Sequence, residues 1–235
     1  MAIPLLNSSP KYSLVVPSSG QEVRYRPFLV KEQKVLLIAY ESQDKKQIIN
    51  AILDTVASCC DDLNTKELTT FDVDYIFTQI RAKSVGEKVD LRITCDACNE
   101  DNDYQLNLED IQVDGGEKER VIEITDEIAV KLKYPDYAKF LSSDVLLESK
   151  SESETLMEII ISCIDSILTE DESIKVKDEP KAEVVKFVDS MTSAQFEKIT
   201  DFIQKMPTLS HEVKFKCEHC GADNNRKLSG LDDFF

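Results

Sequence analysis

Two pairs of cysteines are the residues of this sequence whose type and spacing could do chemistry. Cys95 and Cys98 form one C-x-x-C pair, and Cys217 and Cys220 form a second, with 118 residues between the pairs. Four thiolates from two such turns are a common ligand set for structural Zn²⁺, which binds them as a tetrahedron with Zn–S distances of about 2.3 Å. The sequence therefore predicts one zinc ion held by these four cysteines. A filled shell of four sulfurs leaves no position open for a substrate, so the expected role of the zinc is structural.

Strand-like segments flank both pairs and would position the sulfurs. Apolar and polar residues alternate in Val89–Ile93 and Val213–Lys216 before the pairs, and the segments Tyr104–Leu108 and Asn225–Leu228 follow them. This alternation is typical of half-buried strands. We therefore expect a zinc ribbon made of two hairpins, each with a C-x-x-C turn, here called a knuckle, at its tip. A compact ribbon has about 15–20 residues between its knuckles, so this metal would join the C-terminal region to the middle of the chain.

Two alternatives to zinc remain open for the cysteine pairs: each could be a separate redox dithiol, or a turn without metal. A thioredoxin-like dithiol requires a βαβ setting, whereas hairpins are predicted here. His219 lies inside the second knuckle, but we expect it to be solvated because four sulfurs already complete the shell. The other three of the seven cysteines are expected to be small core residues. These are Cys59, Cys60 and Cys163.

Composition excludes several classes of function. A chain of 235 residues with 42% apolar and 31% charged residues is expected to form one large or two small globular domains. Its net charge of −17 argues against direct nucleic-acid binding, which requires a basic surface. No apolar run approaches the roughly 20 residues of a membrane span. With only His211 and His219 as histidines, and with no nucleophile elbow, phosphate loop or dinucleotide fingerprint, we expect no enzyme.

The predicted fold class is α+β, with helices segregated from mainly antiparallel strands. Residues 1–86 are interpreted as an extended segment followed by a helical unit, and residues 87–135 as the first knuckle hairpin with further antiparallel strands. Residues 136–208 are expected to be helical. Residues 209–235 carry the second knuckle and an acidic, aromatic tail, and are expected to pack on 87–135.

Three local patterns make sharper structural predictions. Val35–Ala39 is apolar on all sides, which suggests a helix buried on most sides. Glu170–Glu179 is predicted to be an acidic loop. Helical spacing also predicts one continuous helix whose apolar stripe is Leu156, Ile160, Cys163, Ile164 and Ile167.

Two segments are candidate contacts for a partner. Arg24, Arg26 and Phe28 belong to the most basic and aromatic stretch of an acidic chain, although an edge strand with solvated arginines is an equal alternative. Phe234 and Phe235 follow two aspartates at the C-terminus, and two phenylalanines are costly to leave in water. We predict that the tail inserts into a groove of a partner, with packing on this protein as the alternative.

Long stretches of the first half carry a family resemblance. Arg26–Leu37, Leu68–Asp72, Tyr75–Phe77 and Ile80–Glu87 resemble the baseplate hub proteins of T-even-type contractile-tailed phages, and the similarity extends over residues 24–135. The resemblance implies a structural or assembly role in the tail baseplate hub, without catalysis. It implies other hub or tail proteins as partners, and the host cytoplasm during assembly, or the virion baseplate, as the location. The alternative is a zinc-ribbon adaptor of a transcription or replication complex.

Overall fold

The computed structural model of the chain describes residues 9–113, 119–137 and 152–231. These residues form two compact units, and the chain passes back and forth between them. The described parts of the first unit are 9–65, 71–113 and 208–231, and those of the second are 66–70, 119–137 and 152–207. Among the described residues, no helix combines the length and the apolar character that crossing a bilayer requires.

The first unit begins with a hairpin and three helices. The hairpin is β1 (Tyr12–Val15) with β2 (Glu22–Tyr25), and the helices are α1 (Val30–Ser42), α2 (Lys45–Cys59) and α3 (Thr70–Ser84). The Asp44 carboxylate accepts hydrogen bonds from the N–H groups of Lys46 and Gln47 and so caps α2. The predicted helical unit is thus present as three separate helices.

The burial of α1 differs from the expectation. Only Glu32, Leu36 and Ala39 are buried in this helix, which packs against α2. Val30, Leu37 and Ile38 are 66%, 54% and 65% exposed. The prediction that α1 is buried on most sides is therefore wrong in the structure of the single chain. An apolar pattern shows that a surface tends to leave water, but it does not show which molecule covers it.

Two further hairpins complete the first unit. The strands are β3 (Lys88–Thr94), β4 (Asp101–Asn107), the short β5 (Gln112–Val113), β10 (Leu209–Lys216) and β11 (Asp223–Ser229). Strands β3 and β4 pair with each other, and β11, β10 and β5 form an antiparallel sheet in that order. A core cluster lies beside this sheet and contains Ala82, Leu106, Leu108, Ile111 and Leu209. Backbone pairing and apolar packing therefore place the base of the C-terminal hairpin beside residues 106–113.

The described residues of the second unit form a four-stranded antiparallel sheet and three helices. The strands, in sheet order, are β6 (Glu119–Glu123), β7 (Ile128–Lys133), β8 (Ile164–Thr169) and β9 (Ser173–Lys175). The helices are α4 (Glu152–Cys163), α5 (Lys181–Asp189) and α6 (Ser193–Gln204). The side chains of Gln195 and Lys198 donate to the carbonyls of Ile124 and Glu123, which joins α6 to the end of β6. Helices and antiparallel sheets confirm the predicted α+β class.

Two predictions in the second unit are wrong. The helix ends at Cys163, and Ile164 and Ile167 lie in β8, an inner strand that pairs with β7 on one side and β9 on the other. Short apolar runs are ambiguous between buried helix and buried strand, and pairing with two neighbours decides for the strand. The predicted acidic loop contains β9 and a single 3₁₀ turn, Val176–Asp178. The division of the chain into the regions 1–86, 87–135, 136–208 and 209–235 stays a prediction.

Candidate metal centre

The four predicted cysteine sulfurs meet at one place in the first unit. The Sγ atoms of Cys95, Cys98, Cys217 and Cys220 all lie within 4.8 Å of one another. The Sγ atoms of Cys95 and Cys220 are 3.7 Å apart, and those of Cys98 and Cys217 are 3.6 Å apart. The structure therefore brings together two pairs of cysteines that lie more than a hundred positions apart in sequence.

The sulfur spacing fits a tetrahedral metal site. Four sulfurs at about 2.3 Å from a zinc ion lie about 3.8 Å from each other, which follows from the geometry of a regular tetrahedron. The two contacts of 3.6 and 3.7 Å join sulfurs of different knuckles, and they are far longer than the roughly 2.05 Å of a disulfide bond. All four cysteines are free thiols in the structure. A cross-knuckle cluster of this kind fits one shared metal better than two independent redox dithiols.

The two knuckles have the same backbone conformation. In each knuckle, the N–H of the first cysteine donates to the carbonyl of the residue five positions later. The N–H of the residue four positions later donates to the carbonyl of that cysteine. All four hydrogen bonds are 2.9–3.0 Å long. That fourth residue is Asn99 in one knuckle and Gly221 in the other, with φ of 58° and 74°. Left-handed backbone favours glycine and asparagine. The sequence thus supplies a suitable residue at the same point of both turns.

Two buried asparagines connect the knuckles reciprocally. Oδ1 of Asn102, in the first hairpin, accepts from the N–H of Glu218 at 2.9 Å, and Oδ1 of Asn224, in the second hairpin, accepts from the N–H of Asp96 at 3.0 Å. Each asparagine also donates Nδ2 to the carbonyl two residues before it, at 3.0 Å. Asn224 Nδ2 lies 3.4 Å from the sulfur of Cys95 as well.

The sequence patterns described above did not identify the role of these asparagines. The signal that could have found them is their shared offset, because each follows the first cysteine of its own knuckle by seven positions. Asn102 is only 4% exposed and Asn224 only 8%, so both are buried polar residues whose hydrogen bonds must be satisfied within the protein.

Backbone amides favour thiolates at the first cysteine of each knuckle. The N–H of Cys220 donates toward the sulfur of Cys217 and, with other donors, lowers the pKa of Cys217 to about 6. The N–H of Ala97, 3.4 Å from the sulfur of Cys95, is the main cause of a lowered pKa at Cys95. Hydrogen bonds to the charged form stabilise it, as expected for a metal-ligating thiolate.

Cys98 shows the opposite shift. The N–H of Glu100 would lower the pKa of Cys98, but burial and the neighbouring sulfurs outweigh it and raise that pKa to about 12. Like charges at distances of 3.6–3.7 Å disfavour full ionisation of the cluster. A divalent cation at the centre is the kind of group that would compensate four thiolates, and the donor set of four sulfurs suits Zn²⁺.

Among the described residues, the candidate ligands of this cluster are the four cysteines. Nε2 of His219 lies 3.2 Å from the carbonyl oxygen of Asp101, and its side chain is exposed, in agreement with the predicted position outside the shell. Arg226 forms an ion pair of 3.2 Å with Asp96, which adds one more contact between the second and first hairpins.

The remaining cysteines lie elsewhere in the structure. Cys59 and Cys163 are buried, as expected for small core residues, whereas Cys60 is only partly buried. Burial is the main cause that raises the pKa of Cys59 to about 11 and that of Cys163 to about 12. These thiols are therefore protonated at neutral pH and poor metal ligands.

Three of the predicted partner residues, Arg24, Arg26 and Phe28, lie within the described part of the chain and have different surroundings. Arg24 is exposed on β2, whereas the guanidinium of Arg26 is engaged within the unit by Glu32. Phe28 is half-buried and lines an open cavity of about 350 Å³ beside α1, together with Leu36 and other residues. Phe234 and Phe235 lie outside the described residues. Partner binding by these five side chains stays a prediction.

Comparisons with known proteins agree with the resemblance seen in the sequence. The chain matches the family described as T4 bacteriophage base plate protein over residues 9–235. The baseplate hub assembly protein gp26 of Enterobacteria phage T4 is 24% identical to it over 225 residues, which cover 96% of this chain and 98% of that protein. No solved structure matches the chain significantly. Because the family match spans both units and the cysteine cluster, the chain belongs to the T4 bacteriophage base plate protein family.

Proposed function

We propose that this chain is a structural or assembly protein of a phage tail baseplate hub, and that it acts as a zinc-stabilised scaffold for other hub proteins. The observation that carries the proposal is the match over nearly the whole chain to a protein named for baseplate hub assembly. The same match favours this function over an adaptor of a transcription or replication complex. It also supports a role without catalysis.

Zinc, in this proposal, is bound by Cys95, Cys98, Cys217 and Cys220. When bound, it supplies positive charge to four thiolates and cross-links the tips of two hairpins. The chain's own residues already prepare the site, since Asn102 orients the second knuckle through the N–H of Glu218. The metal would thus fix how the C-terminal hairpin is presented.

The zinc part of the proposal predicts one metal ion per chain. Native mass spectrometry of the purified protein is expected to show one equivalent of zinc, and Cys217→Ser is expected to lose it. Cys163→Ser is the matched control, because this buried cysteine lies in the other unit and should leave the zinc content unchanged. A Cys217→Ser protein that keeps a full equivalent of zinc would contradict the four-cysteine site.

Support for the scaffold part comes from the exposed surface of the first unit. The open cavity beside α1, lined by Phe28, Tyr40, Val85 and other residues, presents apolar side chains to solvent, and exposed apolar surfaces commonly mark interaction sites. The tail with Phe234 and Phe235 and the exposed Arg24 remain proposed contacts. In this proposal the protein works in the host cytoplasm during assembly. It, or the hub proteins that it binds, then become part of the virion tail baseplate.

Co-purification tests the function directly. Tagged protein expressed during infection by its own phage is expected to capture baseplate hub or tail proteins. Capture of polymerase or replication subunits without any tail protein would support the adaptor instead. Deletion of residues 232–235 leaves the zinc site intact. It therefore shows how much of the capture of hub proteins depends on the tail and how much on the remaining surface.

A further inference from the structure

The outer face of α1, defined here by Val30, Lys34, Leu37, Ile38 and Glu41, is a partly apolar helix surface that remains in contact with water. These residues lie opposite the buried positions Glu32, Leu36 and Ala39 when the helix is viewed along its axis, at 100° per residue. All five are exposed. Three of them are large apolar side chains, which a helix of a monomeric protein normally buries.

The two charges on this face have a particular arrangement. Lys34 and Glu41 are seven positions apart, so they lie on the same side of α1, two turns from each other. Within the described part of the chain, neither side chain makes an ion pair or a side-chain hydrogen bond. Leu37 lies between them along the helix, and Ile38 lies next to Leu37.

We propose that the protein self-associates through this outer face, with α1 of one copy antiparallel to α1 of a second copy. A two-fold axis that passes between the levels of Leu37 and Ile38 places Lys34 of each copy opposite Glu41 of the other. Two symmetric ion pairs then form. The apolar side chains at the middle of the face meet their own counterparts across the axis. An isologous interface of this kind is the commonest arrangement of homo-oligomers.

Charge complementarity argues for a second copy with this orientation. A parallel pairing of two copies would place Lys34 against Lys34 and Glu41 against Glu41, which is repulsive. Only the antiparallel pairing brings each charge on the outer face of one copy opposite a charge of the other sign on the second copy. The inference depends on α1 alone, and it does not require the proposed zinc site or any hub protein.

The dimer is expected to be weak. A helix of 13 residues is about 20 Å long, so two such helices bury an area at or below the lower end of stable interfaces. The net charge of −17 per chain also opposes association at low salt. At about 0.15 M salt, charges separated by more than about 8 Å are largely screened, while the direct contacts on α1 remain.

Sedimentation velocity of the full-length chain, over about 1 µM to 1 mM protein, tests the proposal through charge reversal. Lys34→Glu alone and Glu41→Lys alone are each expected to weaken the dimer about tenfold, because each replaces two attractive pairs by two repulsive ones. An equimolar mixture of the two variants restores complementary pairs and is expected to associate like the wild type. The double variant is expected to do the same.

Matched controls keep this test interpretable. Lys177→Glu changes the net charge equally on an exposed position of the other unit and should leave the dimer unchanged. Leu37→Asp places a carboxylate in the middle of the face and should abolish association, and helicity by circular dichroism reports whether the variant folds. A wild-type chain that stays monomeric up to 1 mM overturns the proposal, and so does association that the single reversals leave unchanged.

Discussion

Asn102 and Asn224 show how single residues prepare the cysteine cluster. Each buried amide satisfies a carbonyl of its own hairpin and an N–H of the opposite knuckle, so the two hairpins are joined by direct hydrogen bonds as well as by the sulfurs. Groups that orient metal ligands in this way commonly affect metal affinity by 10- to 100-fold. The asparagines are therefore as much a part of the candidate centre as the cysteines.

Asn224→Ala is expected to weaken zinc affinity about 10- to 100-fold, because the N–H of Asp96 loses its acceptor and the sulfur of Cys95 loses a donor. Competition titration with a chromophoric chelator measures the change. Asn225→Ala is the matched control, since this neighbouring side chain is exposed and should have no effect. Equal affinities for the two variants would show that the asparagine only fills space.

At the scale of elements, Arg26 and Glu32 hold the start of the helical unit together. Arg26 Nη2 lies 2.9 Å from Glu32 Oε1 and 2.9 Å from the carbonyl oxygen of Ser58 in α2, and Glu32 Oε2 accepts from the N–H of Leu29 at 2.8 Å. This one ion pair thus connects the end of β2, the first turn of α1 and the last turn of α2. It explains why an arginine predicted to face a partner points inward.

Glu32→Gln is expected to destabilise the first unit at pH 7 by about 1.5–3 kcal/mol, the usual contribution of hydrogen bonds to a charged group. Burial would raise the pKa of the Glu32 carboxyl, but the bonds from Arg26 and Leu29 outweigh it and hold that pKa below its usual value. The stabilisation is therefore complete above about pH 4.3, the value for an unfolded chain, and is lost as pH falls through the lower folded-state pKa.

Urea unfolding followed by fluorescence or circular dichroism at pH 7 and at progressively lower pH measures this difference. The wild type and Glu32→Gln should converge as Glu32 becomes protonated. Glu22→Gln, on an exposed position of β2, provides the control for loss of one carboxylate. A difference in the free energy of unfolding that stays constant at every pH would show that packing, and not ionisation of Glu32, causes the destabilisation.

Elements with local signals could be predicted from the sequence, and those fixed by distant pairing could not. Asp44 and Thr192 mark the starts of α2 and α6, and both side chains cap their helices. The two knuckle hairpins follow from alternation around C-x-x-C. Strand β8 was not predicted because Ile164 and Ile167 continue the spacing of the apolar residues in α4. Only pairing with the flanking strands β7 and β9 distinguishes a strand from a helix at this point.

At the scale of the whole molecule, the candidate centre brings together two knuckles that are separated by 118 residues of sequence. The positions of the cysteines could be predicted because metal ligands have a recognisable local spacing. The β5–β10 pairing and the core around Leu209 could not, since β5 has only two residues and carries no local pattern. Apolar packing at the base and the contacts between the two knuckles at the tip therefore hold the C-terminal hairpin in place.

Removal of zinc is expected to release this hairpin while leaving the rest of the chain folded. Structural zinc contributes about 10–16 kcal/mol of apparent binding free energy in small peptides, whereas each doubling of a closed loop costs only about 0.6 kcal/mol. Hydrogen–deuterium exchange with and without a chelator is expected to show faster exchange in residues 209–229. Residues 30–84, and α4 to α6 of the second unit, should keep their protection.

The second unit serves as the internal control in the same sample, because none of the four cysteines belongs to it. If the hairpin lost protection only near residues 217–224, the base with β5 would be stable by itself and the metal would order the tip alone. Uniform loss of protection across the whole chain would mean that zinc belongs to one cooperative core. In that case the chain could not present a separately released hairpin, and the metal would control folding of the entire scaffold.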